Sequence, residues 1–298
     1  MSLLQTLIFG LAQGGIYSLM ALAIGIIYST TRIINFCHAD IIMFGAMVAY
    51  WMVGVQHVPY GPGLLIAIAI NILLGILTYK FCVERLGDLA SNNNWMITLF
   101  GWGIIIKNGA RMLFGSDNNI FPYLFDGKTI SLGNANIMIH ELVMIGASIA
   151  IGIVYDYVCR KTKFGRALRA VSYRPQTSKL MGIDSQKIVL ICFALSAALA
   201  SFAGALIAPI TFASYNMTLT LGLKGYAAAL IGGIGNTTGA FVGGLLLGLI
   251  ECIVTIFLPA GIKDAISFII MILVIIFLPG GILSASIFTH GKTTTEKV

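Results

Sequence analysis

An all-α protein that crosses a membrane several times is the fold class this chain predicts, and three observations predict it. Apolar runs of about twenty residues recur from one end to the other. Only 10% of the 298 residues are charged while 58% are hydrophobic, whereas soluble proteins carry roughly 25% charged residues. The few charges gather between the apolar runs. A hydrocarbon layer ~30 Å thick is crossed by about twenty helical residues at 1.5 Å each, and lipid offers backbone groups no partner outside their own helix. A polytopic helical bundle follows, forming one transmembrane domain over residues 1–298.

Eight runs meet that length, in order. The first, 3–28, has no lysine or arginine ahead of it and no small-residue cleavage site, so it reads as a retained helix and not a signal peptide. The second ends at 55. Its purely apolar part, 41–55, covers only roughly 22 Å, so the helix is expected to begin near Ile33. The others are 63–83, 95–114, 142–159, 188–212, 239–258 and 265–283. Turn-forming text separates them: HVPYGPG, SDNNIFPYLFDGKTISLGNAN and LPAGIKD. Residues 222–238 read as a broken or re-entrant segment, because GGIGN interrupts an apolar stretch. Such backbone survives at membrane depth only when it is buried in protein or lines a cavity.

The formal charge of +7 is not spread over a stacking surface for nucleic acid; it sits between spans. Residues 160–187 hold Arg160, Lys161, Lys163, Arg166, Arg169, Arg174, Lys179 and Lys187, which makes that loop cytoplasmic. Threading outward puts Arg32, Lys80, Arg85 and Lys263 on the same side. Arg111, Lys128, Lys224, Lys292 and Lys297 fall on the other, with Lys107 inside a span: twelve against five. Both termini then lie outside, unless an extra crossing near Gly225 returns the tail. Cys37, Cys82, Cys159, Cys192 and Cys252 stand singly, with no CxxC pair for zinc or a disulfide framework.

Four stretches carry candidate chemistry. In KTKFGRALRAVSYRPQTSKLMGIDSQK, Arg166 and Arg169 share one helical face while Ala167 and Ala170 line another. Gly165 precedes them, Pro175 permits a second short helix, and Gly182 is its expected stop. In RIINFCHADIIMFG, Asn35 and His38 would share a face of a regular helix while Asp40 points about 200° from His38. A break capped by Asn35 would aim a helix N-terminus into the bundle, as broken transporter helices do toward anionic groups; a merely capped helix end is the competing reading. Adjacent Cys37, His38 and Asp40 make a poor metal set, since neighbours in sequence rarely converge on one ion. Gly235, Gly239 and Gly243, then Gly244 and Gly248, repeat every fourth residue, as close helix packing requires, within the chain or against another membrane chain. Glu251, deep in an apolar run, must face the protein interior, for a transport path or for packing. Gly291-Lys292-Thr293 supplies only the end of a phosphate-binding loop, so the match to GxxxxGK(S/T) fails.

Gly165-Arg166-Ala167-Leu168-Arg169-Ala170, followed by Leu180-Met181-Gly182-Ile183, resembles the cytoplasmic coupling segment of the integral membrane permeases of bacterial branched-chain amino acid ABC importers. GGIYSLMALAIGIIYSTTRIINFCHAD resembles that family's opening, and GLKGYAAALIGGIGNTTGAFVGGLLLGLIE its late glycine-rich block. Residues 88–94 and 116–136 match less well. Where the family usually reads INFAHGE, this chain has Ile34-Asn35-Phe36-Cys37-His38-Ala39-Asp40, with Ala39 for a glycine and Asp40 for a longer acid.

The resemblance implies a non-catalytic subunit in a bacterial cytoplasmic (inner) membrane, holding no cofactor of its own. Its partners would be a second permease, two cytoplasmic ATPases that use ATP and Mg, an extracytoplasmic binding protein, a small amino acid substrate and membrane lipid. Gly165, Arg166, Ala167, Arg169, Ala170 and Gly182 would form the ATPase-coupling segment; Asn35, His38, Asp40 and Glu251 would border the substrate path. Relatives of similar appearance import urea or short amides. An ion-coupled secondary transporter has the same hydropathy, but an ordered basic loop and the shortage of paired intramembrane carboxylates speak against it.

Overall fold

The computed structural model describes residues 3–86, 94–132, 135–173, 175–257, 260–278 and 280–282. Arg174, most of 88–94, the span ends at 258 and 283, and the tail with 291–293 and Lys297 lie outside the described residues.

A helix occupies each predicted apolar run: α1 (Leu3–Thr31), α2 (His38–Tyr50), α3 (Tyr60–Cys82), α4 (Asn94–Phe114), α5 (Ile139–Lys161), α8 (Ser185–Thr211), α10 (Thr237–Phe257) and α11 (Lys263–Phe277). Between α5 and α8 lie two short helices, α6 (Lys163–Tyr173) and α7 (Pro175–Leu180). Ahead of α10 lies α9 (Met217–Gly232). Among the described residues six helices are long and apolar enough to cross a membrane: Leu3–Thr31, His38–Val55, Tyr60–Leu86, Ile139–Lys161, Ser185–Thr211 and Thr238–Phe257. The second of these is α2 continued by a π-helical turn, Trp51–Val55. The 116–136 loop runs into a small antiparallel hairpin, β1 (Thr129–Leu132) with β2 (Ala135–Met138), paired Thr129 to Met138.

Helix α1 is the axle. Nearly every residue from Ala12 to Ile27 is buried, on all faces, as expected of a helix apolar all round. It packs against α5, α8, α9 and α10, while α2 fills the space between α3, α4, α8 and α9. Buried polar side chains tie these contacts: Ser196 donates to the Ala23 carbonyl at 2.8 Å, Ser18 to the Phe241 carbonyl at 2.6 Å, and Asn71 Nδ2 to the Ile41 carbonyl at 2.9 Å. Pro209 lies inside α8. It has no N–H to offer the Ala205 carbonyl four residues back, and the Tyr60 hydroxyl donates there instead at 3.4 Å.

Three sequence expectations need correction. The second helix starts at His38, not near Ile33, because the chain from Arg32 to Cys37 is a non-helical link, and the π-helical turn at Trp51–Val55 supplies the added length instead. Residues 222–232 are not broken: they belong to α9, and the interruption is confined to the turn at Gly233–Asn236, where Gly233 and Gly235 take φ of 96° and 90°. Charge threading also fails at Lys224 and Lys263. Assigned to opposite sides, both bind the carboxylate of Glu251.

Helix α9 explains that failure. It begins beside Ala213, which bridges to Asn119 at the end of the bundle away from α6. It ends at the turn whose Gly235 and Asn236 line a cavity with Arg32 and Arg169. The Ile282 amide then donates to the Ile231 carbonyl at 2.8 Å, so the described chain finishes at the α6 end.

Candidate functional site

The α1–α2 link gathers the first set of candidates. α1 stops at Thr31, and Arg32 takes φ 58°, a left-handed conformation uncommon for a side-chain-bearing residue. Its guanidinium lies 5.9 Å from the Tyr28 ring centre and donates to the Ser172 carbonyl at 3.4 Å. Cys37, not Asn35, is the N-cap residue, and no side chain caps the helix. Asn35 uses its backbone carbonyl instead, accepting from the His38 amide at 3.0 Å and from the Tyr226 hydroxyl, while its Oδ1 accepts from the Cys37 thiol at 3.0 Å.

His38 and Asp40 diverge. His38 faces α8, with Nδ1 3.5 Å from Ser196 Oγ. Asp40 faces α4 and α9, where the Thr218 hydroxyl bonds its carboxylate and the charge of Lys107 acts on it from further off, and where Gly103 leaves room that a Cβ would take from it. Asn35 and His38 are 1% exposed, yet Asn35 Nδ2 and His38 Nε2 have no hydrogen-bond partner among the described residues.

Glu251 stands apart from that group, at the centre of an ion cluster joining α1, α9, α10 and α11. It is 0% exposed. Its carboxylate lies 3.1 Å from Lys224 Nζ and 3.2 Å from Lys263 Nζ. It also accepts from the Tyr17 hydroxyl at 3.0 Å and from Ser267. Lys224 reaches Asp264 at 2.7 Å, and Lys263 donates to Gln13 Oε1 at 2.6 Å. Two cations and two carboxylates balance, which is the condition for holding charge in a low-dielectric interior. Sequence reasoning found Glu251 and missed its partners. The available signal was Lys224 itself, flanked by Gly222 and Gly225 in an apolar run where a free ammonium would be costly.

Helix α6 is amphipathic at three-residue spacing. Gly165, Leu168 and Val171 are buried; Lys163, Arg166 and Arg169 are exposed. Leu168 joins Ile26 and Cys192 in a small apolar cluster that Phe164 also packs against, fastening α6 to α1 and α8. A Cβ on Gly165 would strike the Val158 and Cys159 carbonyls. Arg169 donates to the Cys159 carbonyl at 2.8 Å and so satisfies the last turn of α5, whereas Arg166 points outward. Ala167 and Ala170 are partly buried between these faces.

Helix α7 closes on Gly182, whose φ is 78°. The Ile183 amide bonds the Ser178 carbonyl at 3.0 Å and the Gly182 amide that of Lys179 at 3.1 Å, the paired bonds of a Schellman stop. Tyr173, Leu180 and Met181 stay exposed beside it. Asp184 caps α8 through the Lys187 amide at 3.3 Å, and that bond, with the Lys187 ammonium, holds its carboxyl below the usual carboxylate range.

The glycines divide between two neighbours. Gly239 and Gly243 lie against the α9 backbone at Gly232 and Ala228; Gly244 and Gly248 lie against α1 at Ser18 and Gly14. Gly235 belongs to neither strip: it sits in the α9–α10 turn facing Tyr28.

A bundle of long apolar helices around a buried axle, with an anchored amphipathic helix at its basic end, is the architecture of a multi-pass membrane protein. The family model described as "Branched-chain amino acid transport system / permease component" matches residues 6–275, and the chain belongs to that family. The high-affinity branched-chain amino acid transport system permease protein LivH of Escherichia coli K12 is 28% identical over 91% of this chain and 92% of its own length. The corresponding BraD protein of Pseudomonas aeruginosa is 29% identical over the same shares. The ribose import permease protein RbsC of E. coli K12 is 23% identical over 81% of this chain and 75% of its own. The chain is thus a non-catalytic, multi-pass component of a bacterial inner membrane.

Proposed function

We propose that the chain is the permease subunit of an ATP-binding cassette importer carrying branched-chain or similar small neutral amino acids. The carrying observation is the family match across 6–275, which includes a bundle-anchored α6–α7 pair where the sequence motif predicts one. Identity to LivH and BraD exceeds that to the ribose permease, which favours an amino acid over a sugar. The unit working in the membrane pairs this chain with a second permease. Two ATPases bind below, using ATP and Mg, and a binding protein delivers solute at the opposite end.

The α6–α7 segment acts as the coupling element. Its buried face is fixed to α1, α5 and α8, so a push on its outer face moves those helices as a body. Arg166, Tyr173, Leu180 and Met181 present that outer face; Arg169 has the additional task of holding the end of α5. The α1–α2 link borders the solute path, because unpartnered buried polar atoms at Asn35 and His38 can exchange hydrogen bonds with a passing polar group. Glu251 is fully committed to its neighbours and belongs to packing.

Isolated from native membranes in mild detergent, the chain should bring down a second permease, two ATPases and a binding protein loaded with leucine, isoleucine or valine. Uptake by the chain alone that collapses with an ionophore would remove the assignment. Arg166→Glu should reduce uptake on the order of tenfold or more, from like-charge contact with the motor surface, while ATP hydrolysis and assembly persist. Unchanged uptake would remove the coupling role.

A further inference from the structure

We propose that a cleft between α1, α5, α6 and α10 is a binding site for an anionic phospholipid. Two adjoining cavities form it. The wider, about 590 Å³, lies under α6 and is bordered by Arg32, Arg160, Arg169, Ser172 and Asn236, with Asp156 the one carboxylate. The narrower, about 290 Å³, continues along α5 and is walled by Leu22, Ile149, Ile153 and Phe241. Asp156, Arg160 and Thr238 line both, so the two are continuous.

The chemistry of each half selects one part of a lipid. Three guanidiniums against a single carboxylate leave net positive charge at the mouth. Each guanidinium has five N–H donors in a planar fork suited to phosphate. The one bond named for each, Arg32 to Ser172, Arg169 to Cys159 and Arg160 to Asp156 at 2.9 Å, leaves further donors on every side chain. Below the mouth polarity ends. From Asp156 to Ile149 the groove descends about 10 Å along α5, and Ile153 there is 64% exposed. A basic pocket between helices at the membrane edge, opening onto an apolar furrow, fits a phosphate headgroup followed by an acyl chain. A free phosphate would occupy the mouth and leave the furrow unused. Because Gly152 lets Phe241 pack closely against α5, a seated lipid would bridge the α5–α10 contact and the root of α6.

The test uses the purified full-length chain in detergent, with thermal unfolding and native mass spectrometry as readouts. The probes are phosphatidylglycerol, phosphatidylcholine with the same acyl chains, and inorganic phosphate. Phosphatidylglycerol should raise the unfolding temperature and stay bound where phosphatidylcholine does not. Arg32→Gln and Arg160→Gln should each weaken phosphatidylglycerol about fivefold. Arg160→Lys, which keeps the charge but not the fork, should restore only part of the loss, and Lys163→Gln, outside the cleft, should change nothing. Ile153→Trp, which fills the furrow, should weaken the lipid but not phosphate.

Equal stabilisation by the two lipids would overturn the proposal. So would full phosphatidylglycerol affinity in both glutamine variants. Stabilisation by inorganic phosphate that matches the lipid, with Ile153→Trp silent, would replace the lipid by a free anion. The solute carried has no bearing on these outcomes, so they stand or fall apart from the import assignment.

Discussion

Glu251 shows what one residue can settle in a bundle of this kind. A lone carboxylate at 0% exposure is untenable by itself, and here it draws in two lysines from helices on either side of it in sequence. Replacing one member of a buried ion pair is costly because the partner charge remains: about 3–5 kcal/mol is typical. Glu251→Gln leaves Lys224 and Lys263 against Asp264 alone, so the variant should lose stability of about that size, measured by thermal unfolding in detergent. The double change Lys224→Met with Glu251→Leu keeps the remaining charges balanced and should be milder than Glu251→Gln. A double variant as damaged as the single one would show that the cluster acts by shape and not by charge. The sequence exposed the need for a partner, since an acid in an apolar run demands one. It concealed which partner, because linear order says nothing of α11 folding back beside α10. Asp40 illustrates the same limit: its distance from Asn35 and His38 in angle was legible, its seat against Gly103 and Thr218 was not.

At the scale of elements, the α10 glycines separate spacing from destination. Four-residue intervals were readable as close packing, but the interval also runs on into Gly235, which the turn claims for its positive φ. Spacing could not divide the remainder between α9 and α1 either, because two strips one residue apart on a helix differ only in the neighbour each meets. The consequence is testable at single positions. A Cβ at Gly248 would fall on the Gly14 backbone, which no side-chain movement relieves. Gly248→Ala should therefore cost about 1–3 kcal/mol or more by overpacking. Gly146, on α5, has nothing within 4 Å of its Cβ position; Gly146→Ala should be neutral or gain about 0.5–1 kcal/mol from helix propensity. Thermal unfolding of the two variants side by side checks both signs, and a stable Gly248→Ala would mean that α1 and α10 are not locked as described. The same logic governs α6, where Gly165 has no room for a side chain beside the end of α5 while Gly182 has open space and a left-handed backbone. The two glycines of one motif serve different constraints.

For the whole molecule the open question was which end the chain returns to, and α9 decides it. Hydropathy favours long runs, so the 16 residues of Met217–Gly232 were left out of the eight spans, with a crossing near Gly225 kept only as an alternative, and the charge count placed Lys224 in a loop. Both errors have one origin: α9 is short because it is enclosed, with Leu221, Ala227, Ala228, Ala229 and Ile231 buried against other helices and not spanning lipid by itself. Once it runs from the Asn119 end to the α6 end, α10 and α11 must be inverted relative to the earlier threading. The described chain then closes where Gly281 meets Gly233. The check is sided labelling in a background with the five cysteines replaced, of which Cys37, Cys82, Cys192 and Cys252 are buried. Cysteine introduced at Lys163 and at Ile282 should react with a membrane-impermeant maleimide from one face. Cysteine at His57, at the far end of the π-helical turn that completes α2, should react only from the opposite face. If Ile282→Cys is labelled together with His57→Cys, then α9 does not carry the chain across. The shared carboxylate of Glu251, which requires Lys224 and Lys263 at one level, would then lose its basis.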